Sequence, residues 1–214
     1  MTQPIGRVTP SRAVERRAQL QSWHTPASMK LVLTDMAEAY GFFAASQGIP
    51  QYWREAYCGC DFAQALGAEA VRLPDTSSPG FELRSGSQAI SCELVEIRDP
   101  RSPTGSIFGA VAEQYDPGRS AAIEPFDAEA HRRWLGERLS EAVIRKAAKG
   151  FDPRLVLAVY VHAKIFPERR EDTERGLAAA VLPHLDAFPA IWVLASGRLL
   201  AFSVHGDKSN PSRA

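Results

Sequence analysis

Three short apolar segments between residues 68 and 100 constrain the fold of this chain most. AEAVRL, GFELR and AISCELVEI are separated by the breakers at Pro74 to Pro79 and at Ser85-Gly86-Ser87, so they read as three successive strands. The two-residue period of a strand puts Cys92, Leu94 and Glu96 on one face of the third segment, and Glu93, Val95 and Ile97 on the other. Glu93 thus shares an otherwise apolar face. A carboxylate placed there needs a partner, whether a metal, a base or a hydrogen-bond donor, because burial without one is costly.

The flanking segments complete an α/β order. Ser11 is positioned to cap a helix to about Trp23, with Val14, Leu20 and Trp23 as its apolar positions. A longer helix follows Pro26, with Leu31, Met36, Tyr40 and Phe43 available to a buried stripe and Gly48 and Pro50 closing it. The next helix runs from Tyr52 to about Leu66. Residues 99–127 are rich in Pro, Gly and Ser around the apolar IFGAVAEQY, a length of weak structure more typical of a functional loop than of a connection. Asp127 caps a strong helix to about Lys149, with Leu135, Leu139, Ala142 and Val143 on its buried face. RLVLAVYVHA (154–163) reads as a central strand covered on both sides. A charged helix interrupted by Pro183 follows, and AIWVLASGRLLAFSV divides at Ser196-Gly197 into a hairpin.

The expected organisation is a flexible arm over 1–10, one α/β domain over 11–206 and a polar tail over 207–214. Within that domain, 11–66 is helical and 68–204 forms the sheet core. With 214 residues there is enough chain for one full core. No apolar run approaches the roughly 20 residues of a membrane span, and MTQPIGRVTP lacks the apolar segment of a secretory signal, so a cytoplasmic location is expected and no membrane partner. Three cysteines, two of them in Cys58-Gly59-Cys60, do not make a disulfide framework. The segment around that pair reads as an amphipathic helix, so both thiols are expected in the core rather than on zinc.

Basic and acidic residues balance at 25 each, so the whole chain has no field that draws it to nucleic acid. Contact with phosphates would need a local patch, for which Arg98, Arg101, Arg132, Arg133 and Arg145 are the candidates. No GxGxxG, GxxxxGK[ST] or GxSxG motif occurs, which leaves nucleotide-cradling and serine-hydrolase readings without support. His162 is the one histidine with a buried setting, and it reads as a satisfied core residue. A homodimer is compatible with the sequence but is not indicated by it.

Helices, three strands, a crossover helix and a buried strand, with an acid on the third strand, resemble the core of the PD-(D/E)xK, or restriction-endonuclease-like, nuclease superfamily. The resemblance spans roughly Met29 to Val161 and implies a mixed central sheet flanked by helices, here with an extra N-terminal helical segment. In that family an Asp opening the second strand and an acid-x-Lys on the third hold a divalent metal and activate water. Glu93-Leu94-Val95 stands at the acid-x-Lys, so Glu93 maps onto the acid and Val95 replaces the lysine; Gly80 occupies the Asp position. The resemblance implies Mg2+ or Mn2+ on Glu93, with Asp75 of the nearby Pro74-Asp75 as second ligand, or Glu38 or Glu55 from the preceding helices. Lys146 lies between Leu135, Leu139 and Ala142 by helical period and is the candidate replacement for the missing lysine. The expected function is nuclease-like, with weak or lost catalysis and binding of nucleic acid. The alternative is an inactive binding or assembly module with a protein partner.

Overall fold

Glycines and prolines set the limits of most elements. Pro10 opens α1 (Pro10–Leu20), Pro26 opens α2 (Pro26–Tyr40), and Gly67 closes α3 (Gln51–Leu66) in the left-handed conformation that lacks a Cβ penalty. β1 (Ala70–Arg72), β2 (Phe81–Ser85) and β3 (Gln88–Arg98) follow as an antiparallel meander, and α4 (Ala128–Ala147) leads to β4 (Val156–His162). α5 (Arg170–Val181) runs into a 3-10 turn, Leu182–Ala187, where Pro183 prevents the helix from continuing. β5 (Ala190–Ala195) and β6 (Arg198–Ser203) complete the chain. The computed structural model describes residues 10–40, 50–75, 80–98, 127–150, 152, 154–162 and 170–203. Residues 1–9 of the expected arm, the end of the second helix with Phe43 and Gly48, most of the 99–127 loop with Arg101, and the polar tail lie outside these residues, while Pro10, expected in the arm, belongs to α1.

The strands form a six-stranded mixed sheet in the order β1-β2-β3-β4-β5-β6, with β4 and β5 parallel and the β5–β6 hairpin antiparallel. β4 is therefore an interior strand, and it is buried along both alternations as its unbroken apolar sequence requires. Two compact units divide the chain, Met1–Leu94 and Val95–Ala214, so β3 contributes to each.

In the first unit α3 lies on β1 and β2. Gly59 makes that contact close: a Cβ there would stand 3.1 Å from both Phe81 Cγ and Val71 Cγ2, which is the reason for a glycine in mid-helix despite its cost of about 1 kcal/mol relative to alanine. Phe62 stacks on Phe81 beside it. Trp53 bridges to α2, its Nε1 donating to the Leu33 carbonyl at 2.9 Å. The buried stripe of α2 is Met29, Leu33, Met36 and Ala37; Leu31, expected in it, is 69% exposed because it stands two residues, about 200°, from both Met29 and Leu33. Val14 is likewise 70% exposed, six residues from the buried Leu20 and on another side of α1.

The second unit is built on Val95 and Ile97 of β3, Leu157, Val159 and Val161 of β4, and Ile191 and Val193 of β5. Leu135, Leu139 and Val143 of α4, and Leu177 and Val181 of α5, cover them. Asp127 caps α4 as expected, accepting from the Glu129 and Ala130 amides at 3.0 Å each. Asp127→Ala should cost about 1 kcal/mol, read as a shift of the urea midpoint with an unchanged slope; no shift would mean the cap contributes nothing.

Candidate functional site

Glu93 follows the buried Cys92 on β3 and is itself only 8% exposed, so the two neighbouring positions are covered on both sides of the strand. α3 supplies the second acid. Glu55 stands one turn after Gln51, whose Nε2 donates to Glu55 Oε1 at 2.7 Å. Burial raises the Glu55 pKa above its ordinary 4.5; the Gln51 hydrogen bond and the Arg17 guanidinium pull it down, the negative charge of Glu93 pushes it up, and Arg54 lowers it again. Two carboxylates and two guanidiniums thus share one half-buried region of the first unit. The arrangement compensates charge internally.

The raised pKa has a definite sign in stability. A carboxyl that holds its proton more tightly when folded stabilises the fold below its unfolded pKa, and that contribution is lost as pH rises through the folded value. Glu55→Gln should therefore flatten the dependence of stability on pH above the ordinary 4.5 and raise stability at neutral pH, as measured by urea unfolding at a series of pH values. A profile identical to that of the parent chain would contradict the assignment.

The other candidates are dispersed. Asp75 is exposed in the bend after β1, whereas Glu93 is buried. Glu38 is exposed on α2. Lys146 is half-buried one turn beyond Ala142 on α4, in the second unit. At the motif positions, Gly80 is buried and its amide donates to the Cys92 carbonyl at 2.9 Å. A Cβ on Gly80 would stand 3.2 Å from both the Leu94 nitrogen and Leu94 Cβ. Val95 is 4% exposed and packs in the core of the second unit. Cys58, Cys60 and Cys92 are buried and form no disulfide among the described residues; burial pushes the Cys60 pKa up to about 12, which suits core packing rather than thiolate chemistry.

The basic patch is partly engaged by acids of the chain. Arg98 Nη2 contacts Glu96 Oε2 at 2.7 Å, and Arg132 Nη1 contacts Asp172 Oδ2 at 3.2 Å. Arg133 and Arg145 are exposed. The same Glu96 oxygen lies 2.9 Å from His162 Nε2, and the His162 ring stands 4.6 Å from that of Tyr160. This Glu96–His162 pair was not apparent from sequence, since 66 residues separate the partners. The available signal was that both residues stand at or near the C-terminal ends of strands that prove to be neighbours.

No protein-family model matches the chain, and no curated protein or solved structure matches it.

Glu93 and Glu55 offer hard oxygen donors of the kind magnesium takes, but Gly80 brings no ligand and Arg17 and Arg54 already supply positive charge to the region. That donor set suits a divalent cation in kind and falls short of it in number.

Proposed function

We propose that this chain is a nuclease-like protein that binds nucleic acid and has weak or lost phosphodiesterase activity. The observation that carries the proposal is the condition of the two motif positions. Gly80 is held against Leu94 with little room for a side chain, and Val95 is part of the hydrophobic core, while the acid at Glu93 remains. The order of elements, a strand meander followed by a helix and an interior strand, supports the restriction-endonuclease-like reading of the fold. Any Mg2+ or Mn2+ would be held by Glu93 with Glu55 and would supply an activated water. What the chain itself contributes is the positive charge of Arg17 and Arg54 near Glu55 and the partial burial of that acid beside the buried Glu93. Lys146 would then serve nucleic-acid contact rather than hydrolysis.

Incubation of duplex and single-stranded DNA with magnesium or manganese should yield little or no product. Binding followed by fluorescence anisotropy should weaken steeply with salt, because each neutralised phosphate releases counterion; Arg133→Gln and Arg145→Gln should each reduce the slope of log K against log salt by about 0.9. Rapid cleavage that survives Glu93→Gln would defeat the proposal. Absent or salt-independent binding would select a second reading, an inactive assembly module with a protein partner. That reading draws on the pairing of Arg98, Arg132 and Arg138 with acids of the chain, which leaves fewer cations for phosphate.

A further inference from the structure

The end of β3 and the last turns of α4 enclose a cleft of about 210 Å³, far larger than the roughly 10–15 Å³ that one water needs. Arg138 and Arg145 stand seven residues apart on α4, so two helical turns return them to the same side, and Arg98 leaves β3 beside them. Ala142 lies between the two helix arginines and leaves the floor open. Glu96 holds Arg98 at 2.7 Å and Glu141 holds Arg138 at 3.1 Å. Arg145 has no acid partner among the described residues, so three guanidiniums face two carboxylates. Glu96 is itself fixed by His162 at 2.9 Å, which keeps Arg98 from swinging away. A guanidinium bound through one nitrogen retains further N–H donors, and their fork suits an oxyanion.

We infer that this cleft binds one phosphoryl group, from a nucleic-acid backbone or from a free phosphate ester. Three guanidiniums arrayed around one space match an oxyanion with three or four oxygens better than a planar carboxylate with two. The inference refines the nucleic-acid reading by assigning a phosphate position, and it rests on that reading only for where the phosphate comes from.

The test is an NMR titration of the full chain with inorganic phosphate, alongside anisotropy measurements with a 5′-phosphorylated oligonucleotide and its unphosphorylated twin. Phosphate should shift the Arg98 and Ala142 amides and the Arg145 Nε–H. Arg145→Gln, an exposed change that leaves the core intact, should weaken phosphate binding roughly ten-fold, the loss of about one charge-assisted hydrogen bond. Arg145→Lys should restore part of it, and Arg175→Gln, an exposed change on α5 outside the cleft, should leave it unchanged. Phosphate binding without oligonucleotide binding keeps the cleft, assigns it to a phosphate ester and removes the nucleic-acid reading. Oligonucleotide binding that ignores both phosphate and Arg145→Gln, yet loses salt dependence with Arg133→Gln, overturns the cleft and leaves the nucleic-acid reading to Arg133 alone. Absence of any phosphate-induced shift also overturns it.

Discussion

Restoring the nuclease motif by Gly80→Asp should destabilise the chain rather than confer cleavage. The new Cβ would meet the Leu94 nitrogen and Cβ at 3.2 Å, closer than most side chains tolerate, and the carboxylate would enter a buried position. Overpacking alone typically costs about 1–3 kcal/mol, and an uncompensated polar group adds to it, so a loss of about 2–4 kcal/mol is expected. Val95→Lys should cost about 3 kcal/mol, since an ammonium would replace a side chain packed among the core residues of β4 and α4. Urea unfolding measures both losses. A double variant that stays as stable as its parent and cuts DNA with magnesium would show that the departures at these positions are superficial.

The core of the second unit predicts the other large effect. Leu157 is fully buried on β4, between neighbouring strands and beneath α4 and α5. Leu157→Ala should lower stability by about 3 kcal/mol through lost transfer energy and the cavity left behind. Against a total stability of about 5–15 kcal/mol for an ordinary domain, that is a large fraction, visible as an early urea midpoint. A change below about 1 kcal/mol would mean that the site collapses around the smaller side chain.

Local chemistry made much of the architecture legible. Asp127 announced a helix start, the pair Ser196-Gly197 marked the β5–β6 turn, and the nearly unbroken apolar run at 154–163 identified the interior strand. Each of these depends on a residue and its immediate neighbours. Ser196 and Gly197 both adopt positive φ, 48° and 76°, the geometry a two-residue hairpin requires. The candidate site was less legible because it depends on encounters between distant segments. Glu55 was one of several acids available to Glu93, and nothing local singled it out. Gly80 read as a missing ligand, but only the approach of Leu94 shows that the position is also crowded. The alternation on β3 put Glu96 on the face away from Glu93, but it gave no sign that the partner of Glu96 would come from β4.

The outer edge of β1 is not bare. His24 and Val71 exchange backbone hydrogen bonds at 3.0 and 2.8 Å, and the Leu73 amide donates to the Leu20 carbonyl at 2.8 Å. The short segment after α1 therefore occupies the positions that another chain would need in order to extend the sheet by strand addition. A chain shortened to begin after His24 would expose those amides and carbonyls, turning a protected border into a surface prone to self-association.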